Sequence, residues 1–186
     1  ASSDLNVVES RLLSALGRRA RLRAERDGLE EIEFPKELTE ADDPQEAAEI
    51  MANQRSLFSA RREALVTDLE LRAQRIDELE EQIRGLEARL SAVESQIDSF
   101  AEEVKEWSGL VQDQLADKQQ LRDAGRQLND YRGDRGRLIA DIAGVRAQIA
   151  STQMERTLRR QEYDQEVASQ LGEVQESILD SRARIS

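Results

Sequence analysis

Apolar residues recur every seven positions through the middle of the chain. Two such series run through residues 65–111 and are offset from each other by three and four positions. This spacing places the apolar side chains on one narrow stripe of a helix, as at the a and d positions of a coiled coil. The pattern predicts a helix over about 44–114, which is roughly 105 Å long at 1.5 Å per residue. The two series are Leu69, Ile76, Ile83, Leu90, Ile97, Val104 and Val111, and Leu65, Arg72, Leu79, Leu86, Val93, Phe100 and Trp107.

The same rhythm restarts in a new phase and predicts a second long helix over about 119–186. Met154 and Leu158 fall off this pattern, so we expect a local stutter near Thr152–Tyr163 that changes the supercoil there. Four glycines lie in the first half of this helix, although each weakens a helix by about 1 kcal/mol relative to alanine. Close approach to a neighbouring backbone would be a reason to tolerate them. The apolar positions are Leu121, Ala124, Leu128, Tyr131, Leu138, Ile142, Val145 and Ile149, then Val167, Leu171, Val174, Ile178 and Ile185, and the glycines are Gly125, Gly133, Gly136 and Gly144.

Two helices of similar length, each with one narrow apolar stripe, bury both stripes most simply by folding back as an antiparallel pair. The reversal is then expected at the interhelical turn, residues 114–118, and connections of this length are ordinary. The charges agree, because Glu70–Glu106 contains 11 acidic and 5 basic residues, whereas Lys118–Arg160 contains 10 basic and 5 acidic ones. Arg72 takes a position in the stripe opposite the stutter, which predicts a polar layer there.

The beginning of the chain predicts a shorter helix and a linker. Apolar residues at three- and four-residue spacing indicate an amphipathic helix within residues 1–31. Residues 32–43 are expected to be a linker, and Asp43 followed by Pro44 is typical of an N-cap with proline at the first helical position. The predicted fold is therefore all-α: a long antiparallel coiled-coil hairpin, residues 44–186, with the shorter helix packed near its base.

The composition excludes several classes of protein. Charged residues make up 35% of the chain and aromatic residues 3%, which suits a coiled coil rather than a thick core. The net charge is −12 and the pI about 4.7, so no nucleic-acid partner is expected. Histidine and cysteine are absent, so we expect no catalytic residue, no metal site and no cofactor, and hence no enzyme. No stretch of 18 apolar residues occurs, and the start without methionine indicates a segment of a longer protein.

Several stretches together resemble one family. A helix, an "EFP" linker and then "RSLFSARREAL" near the start of a long hairpin resemble the HlyD-type periplasmic adaptors, or membrane fusion proteins, of type I secretion systems. The stretches "LEEQIRGLEARLSAVESQI", "GRLIADIAGVRAQIA" and "EVASQLGEVQESI" are similar to the same family. The resemblance covers nearly the whole chain and includes no catalytic motif.

This resemblance implies a structural adaptor that bridges an inner-membrane ABC transporter and a TolC-like outer-membrane channel. It implies a location in the periplasm, with the membrane anchor and the transporter contacts in regions outside this chain. Several hairpins side by side would form a homo-oligomeric ring whose turns meet the channel. The competing hypothesis is a rod segment of a cytoskeletal or chromosome-organising coiled-coil protein, which would usually continue its heptads in a parallel dimer.

The resemblance also places a docking site at the interhelical turn. Leu115 and Leu121 match apolar positions of the family, whereas Asp117 stands where serine is common and Gln114 where glycine is common. In a reversal at this point Leu115 has no core to fill, and an exposed apolar residue at a loop tip marks an interaction site. The expected docking residues are Leu115, Asp117, Lys118 and Leu121.

Two other groups of residues leave alternatives open. Trp107 and Phe100 lie on the apolar stripe close to the turn, where a core role is expected for both and direct partner contact by Trp107 is the alternative. The cluster Arg156, Arg159 and Arg160 either binds a neighbouring subunit or pairs with the first long helix, and the complementary charges favour pairing.

Overall fold

The computed structural model describes residues 2–186, and these residues form four helices and no strand. The chain divides into two compact units. The terminal unit holds the chain up to Leu71 together with Arg156–Ser186, and the turn unit holds Arg72–Glu155. The expected all-α helical hairpin with an additional shorter helix is confirmed. The helices are α1 (Ser2–Asp27), α2 (Lys36–Thr39), α3 (Pro44–Gln112) and α4 (Lys118–Ile185).

Helices α3 and α4 run antiparallel within each unit. In the turn unit Phe100 stacks on Tyr131, with ring centroids 5.3 Å apart, and Arg146 bonds Glu87 at 3.3 Å. Every position of the predicted apolar stripes in this unit is buried or half-buried, and Leu79 is only 1% exposed. The heptad pattern therefore correctly identified the seam, the buried line along which the two helices meet. The core role expected for Phe100 follows from its stacking.

The predicted stutter lies further along α4 than the sequence indicated. Met154 and Leu158 do face outward, but half-buried Thr152 and Arg159 keep the heptad phase with polar residues. From Arg159 the buried positions follow three successive steps of four, to Tyr163, Val167 and Leu171, and then return to alternating steps of three and four. Such an insertion of four residues is a stutter, which locally unwinds the left-handed supercoil. The buried and half-buried positions are Arg159, Tyr163, Val167, Gln170, Leu171, Val174, Ile178, Ser181 and Ile185.

Polar contacts occupy the seam where the prediction placed a polar layer. Within the turn unit, half-buried Arg72 donates to Glu155 Oε2 at 2.8 Å. Within the terminal unit, Arg159 donates to Asp68 Oδ2 at 2.9 Å. Pairing with the first long helix, one of the two roles considered for the arginine cluster, is thus confirmed for Arg159.

Helix α1 packs in the terminal unit, and its second half supplies much of the core there. Leu16 and Leu22 are fully buried, and they cluster with Leu38 of α2 and with Val167 and Ile178 of α4. The segment expected to be a linker therefore contains a short helix with a buried side chain. Because a third helix covers α3 and α4 here, they bury a broader face than a two-stranded seam requires, and neighbouring Gln170 and Leu171 of α4 are both covered.

A buried ionic network fixes α1 against the two long helices. The Glu25 side chain of α1 is fully buried, and its Oε1 accepts hydrogen bonds from Arg21 and from Arg61 of α3, both at 2.8 Å. Arg61 also bonds Glu166 of α4 at 3.3 Å and lies over the ring of Tyr163, 5.4 Å from its centroid. Burial, first of all, raises the pKa of the Tyr163 hydroxyl above its usual value. The Glu25 carboxylate thus joins α1 to α3, and Arg61 extends the network to α4.

The helix ends follow capping rules, with one departure. Asp43 Oδ1 accepts the N–H groups of Gln45 and Glu46 at 3.1 Å, so the predicted N-cap of α3 is confirmed. Helix α1 ends at Asp27, four residues before the expected Glu31, because Gly28 takes a left-handed conformation with φ 66°. A backbone bond of 3.0 Å from the Leu29 N–H to the Ala24 carbonyl then closes the last turn, as in a Schellman motif.

Helix α3 ends in the same motif without a glycine. Gln114 takes the left-handed conformation with φ 59°. Its N–H donates to the Val111 carbonyl at 3.1 Å, and the Leu115 N–H donates to the Leu110 carbonyl at 2.8 Å. A residue with a side chain is strained in this conformation, whereas glycine is not. The tertiary fold therefore holds Gln114 at some cost in free energy.

The glycines of α4 do not serve the close approach that the sequence analysis suggested, at least within this chain. A Cβ atom added at Gly125, Gly133, Gly136 or Gly144 would meet nothing within 4 Å. At Gly17 of α1, in contrast, it would lie 2.7 Å from Ile50 Cγ2. Close approach of another helix explains why α1 has a glycine at this position. No contact within the chain explains the four glycines of α4.

Substitution of Glu25 by glutamine should lower the free energy of unfolding by about 3–5 kcal/mol, because it removes the carboxylate charge that pairs with buried Arg21 and half-buried Arg61. Glu166→Gln is the matched control: it removes a half-exposed partner of the same Arg61 and should cost about 1 kcal/mol or less. Urea denaturation followed by circular dichroism measures both. Equal losses for the two variants would contradict the anchoring role of Glu25.

Exchange of the two C-terminal cap residues should have opposite effects. Gln114→Gly should raise the free energy of unfolding by about 1 kcal/mol, and Gly28→Gln should lower it by about 1–2 kcal/mol, since only glycine takes φ near 60° without strain. Thermal melts of both variants against the parent chain would test this. A lower melting temperature for Gln114→Gly would show that the glutamine side chain contributes more than its backbone strain costs.

Candidate docking site at the interhelical turn

The backbone of the interhelical turn is held on both sides. On the α3 side, the Schellman bonds of Gln114 and Leu115 satisfy the last carbonyl groups of the helix. On the α4 side, Asp117 Oδ1 accepts the Gln119 N–H at 3.3 Å, as an N-cap does. A carboxylate at this place also suits the positive end of the helix dipole. Asp117, named from the sequence as a docking residue, therefore has a structural role in starting α4.

The Leu115 side chain projects into solvent between these two caps. It is 74% exposed, more than exposed Leu179 or Met154. The adjacent cation, Lys118, is exposed as well, whereas Leu121 is half-buried at the start of the α4 seam. The structure thus separates the four candidates: Leu115 and Lys118 are accessible, Asp117 caps α4, and Leu121 contributes partly to the seam.

One further apolar residue near the turn, which was not among the docking residues predicted from the sequence, is accessible. Leu110 is 39% exposed, and its carbonyl accepts the bond from Leu115. Residues at these two positions of a Schellman motif frequently make a hydrophobic contact. Leu110 lies between the seam positions Trp107 and Val111 and belongs to neither heptad series. That position in the sequence was the available sign that its side chain is not buried in the seam.

The surroundings of Trp107 are compatible with both predicted roles, packing in the core and direct contact with a partner. It is half-buried at its seam position, and its indole N–H donates to Glu103 Oε1 at 3.4 Å. Trp107 lines two shallow hollows, one together with Leu110 and the other together with Ala124. The ring therefore combines packing in the seam with an accessible surface close to the turn.

The accessible groups of the interhelical turn are suited to contacts with another protein. Its accessible groups are an aliphatic side chain, an ammonium group and the edge of an indole ring, and these support apolar and ionic contacts. Among residues 2–186 no group of acidic side chains is arranged to hold a metal ion. None of the helices described contains an apolar stretch long enough to cross a membrane.

Comparison with known proteins agrees with the helical hairpin described above. The whole chain, residues 1–186, matches the family model described as "AprE, long alpha-helical hairpin". The chain is 29% identical over 182 residues to the type I secretion system membrane fusion protein PrsE of Rhizobium meliloti (strain 1021), in a match that covers 98% of this chain. It spans only 42% of the length of that relative.

A solved structure has the same fold. It is the crystal structure of the soluble domain of LipC, a membrane fusion protein of a type I secretion system. The two chains are 25% identical and align with a TM-score of 0.95 over 99% of this chain and 86% of the other. The resemblance to HlyD-type adaptors is therefore confirmed, and since the family model spans the entire sequence, this chain belongs to the AprE long α-helical hairpin family of type I secretion membrane fusion proteins.

Proposed function

We propose that the protein bridges an inner-membrane ABC transporter and a TolC-like outer-membrane channel, and that the interhelical turn docks the channel. Membership of the type I secretion membrane fusion proteins supports a role in the secretion apparatus. The observation that carries the docking site is Leu115, which is 74% exposed on a turn whose backbone is capped on both sides.

A rigidly presented leucine is suited to docking. The caps order the turn before a partner arrives, so binding loses little conformational entropy there. Burial of a leucine side chain at an interface contributes roughly 1.5–3 kcal/mol. A homo-oligomeric ring would repeat this contact in every subunit, and the effective affinity would then far exceed that of one turn. Lys118 adds a cation beside the apolar contact, which suits an acidic rim on the channel.

The remaining parts of the proposal concern regions outside this chain. Contacts with the transporter and the anchor in the inner membrane are assigned to other parts of the longer protein, in accordance with the 42% of PrsE that the chain spans. The hairpin itself is assigned to the periplasm. No catalytic step belongs to this function, and the proteins that the chain resembles are named as membrane fusion proteins.

The competing hypothesis of a rod segment has less support. A rod in a parallel dimer would use the seam residues for contacts between chains. In both units these residues pack between α3 and α4 of one chain, and capped helix ends at residues 109–119 reverse its direction. The seam is therefore already occupied within the monomer.

Replacement of Leu115 by aspartate in the full-length adaptor should abolish export, since it puts a charge where an apolar contact is needed. Lys118→Glu should reduce export by reversing the neighbouring charge. Secretion of the natural substrate into the medium and co-purification of the channel are the measurements. The melting temperature of each variant should stay within about 2 °C of the parent value, because exposed substitutions change stability little.

Leu179→Asp provides the matched control, because this leucine is 67% exposed on α4 of the terminal unit. It should leave export unchanged. Normal export with both Leu115→Asp and Lys118→Glu would show that the turn is not the docking site. An equal loss with Leu179→Asp would show that any new surface charge disturbs assembly.

A further inference from the structure

The terminal unit carries a local excess of positive charge, although the net charge of the chain is −12. Four arginine side chains lie there around only two carboxylates, those of Asp27 and Glu37. Three of the arginines are on α1 at four- and three-residue spacing and therefore share one side of that helix. We call the four arginines the basic patch, which comprises Arg19, Arg23, Arg26 and Arg182.

Each of the two carboxylates already bonds one arginine of the patch. Both oxygens of Asp27 accept hydrogen bonds from Arg26, at 2.8 and 3.1 Å. Both oxygens of Glu37 accept hydrogen bonds from Arg182, at 2.9 and 3.2 Å. These two pairs use two of the four guanidinium groups and leave the other two without a carboxylate of their own.

Arg19 and Arg23 are the two arginines that remain. Within residues 2–186 neither of them forms a salt bridge. Burial and, after it, the positive charges of Arg23 and Arg182 lower the pKa of Arg19 below its usual value. Like charges four residues apart on a helix weaken the helix. The arrangement of these two cations therefore opposes folding and finds no compensation within the chain.

The basic patch is held in a fixed position by the core beneath it. Leu16 and Leu22 of α1 are fully buried, and Arg19 between them is half-buried. On α4, the two bonds to Glu37 hold the Arg182 guanidinium. An incoming partner therefore meets cations that are already ordered, and binding loses little conformational entropy.

The size of the patch and its surroundings favour a compact anionic partner over an extended one. A nucleic acid or an anionic membrane would also face the acidic remainder of the chain, whose net charge is −12. Helices that bind membranes insert apolar side chains between their cations. The apolar side chains beside the patch on α1 are instead buried in the terminal unit, namely Ala20, Leu22 and Ala24.

We propose that the basic patch binds an acidic helical segment of a partner protein, whose aspartate or glutamate side chains lie opposite Arg19 and Arg23. Carboxylates three or four residues apart on a helix lie roughly 5–6 Å from each other at Cβ, which matches the spacing of these two arginines on α1. A guanidinium group binds a carboxylate through two parallel hydrogen bonds. This contact goes beyond docking at the interhelical turn, and it uses the terminal unit alone.

Titration of the isotope-labelled chain with an alanine-based helical peptide that carries glutamates at i and i+4 tests the contact. The backbone amide signals of residues 19–23 should shift and saturate at low ionic strength. At about 1 M salt the shifts should disappear, because the Debye length falls to about 3 Å. Unshifted signals, or an equal response to the same peptide with glutamine in place of glutamate, would overturn the proposal.

Substitutions on α1 test whether the patch itself is responsible. Arg23→Gln should weaken binding of the glutamate peptide about fivefold, as expected for loss of an exposed ion pair, whereas Arg23→Lys should keep most of the affinity. Arg11→Gln is the matched control, because Arg11 is an exposed arginine on the same helix. An equal loss with Arg11→Gln would reveal general attraction to a basic helix and contradict a defined site.

Thermal melts separate a binding role from a role in folding. Arg23→Gln should raise the melting temperature by about 1 °C, because it removes a like charge beside Arg19. A fall of several degrees would show that Arg23 contributes to folding, and the proposal would fail.

Two further arms distinguish the partner and the site. Vesicles containing phosphatidylglycerol should leave the signals of residues 19–23 unshifted, and a stronger response to vesicles than to the peptide would assign the patch to lipid instead. In the full-length adaptor, Arg23→Glu should lower export while the channel still co-purifies; normal export would count against the contact. Leu115→Asp should leave peptide binding unchanged, so failure of docking at the turn and failure of this contact can be told apart.

Discussion

A single narrow apolar stripe on each long helix is the constraint on which this structure depends. With 35% charged residues, most of the surface of α3 and α4 must stay in water, and the apolar stripe of each is buried along its length against a partner helix. The chain provides that partner itself, because α4 returns along α3 after a five-residue turn. Antiparallel pairing also places the acidic α3 segment beside the basic α4 segment. The hairpin thus buries both apolar stripes and also brings side chains of opposite charge together.

The terminal unit shows what changes when a third helix is added. Where α1 covers the pair, the heptad of α4 is interrupted by a stutter between Arg159 and Leu171, and the buried face is broader, since Gln170 and Leu171 both lose exposure. Glu25 lies between α1 and α3 and accepts bonds from Arg21 and Arg61. A fully buried carboxylate between two guanidinium groups contributes orientation more than net stability, since the cost of removing it from water offsets much of its attraction.

In the turn unit the seam is satisfied internally, so function must use what remains outside it. The most exposed large hydrophobic residue there is Leu115, on a turn whose backbone is capped on both sides. A hairpin can present such a residue to another protein without a binding pocket or a catalytic group.

Local periodicity and capping let the sequence alone determine much of this protein. Heptad spacing identified the seam through Leu79 and Ile142, the change of phase identified the interhelical turn, and Asp43 with Pro44 identified the start of α3. The sequence could not show that Thr152 and Arg159 keep the seam phase, since polar residues there resemble surface positions until a partner helix covers them. Nor could it show that Glu25 is buried, because charge in an amphipathic helix usually indicates solvent. Only tertiary packing decides such cases: it removes water from a polar side chain and supplies the ionic partners that make its burial possible.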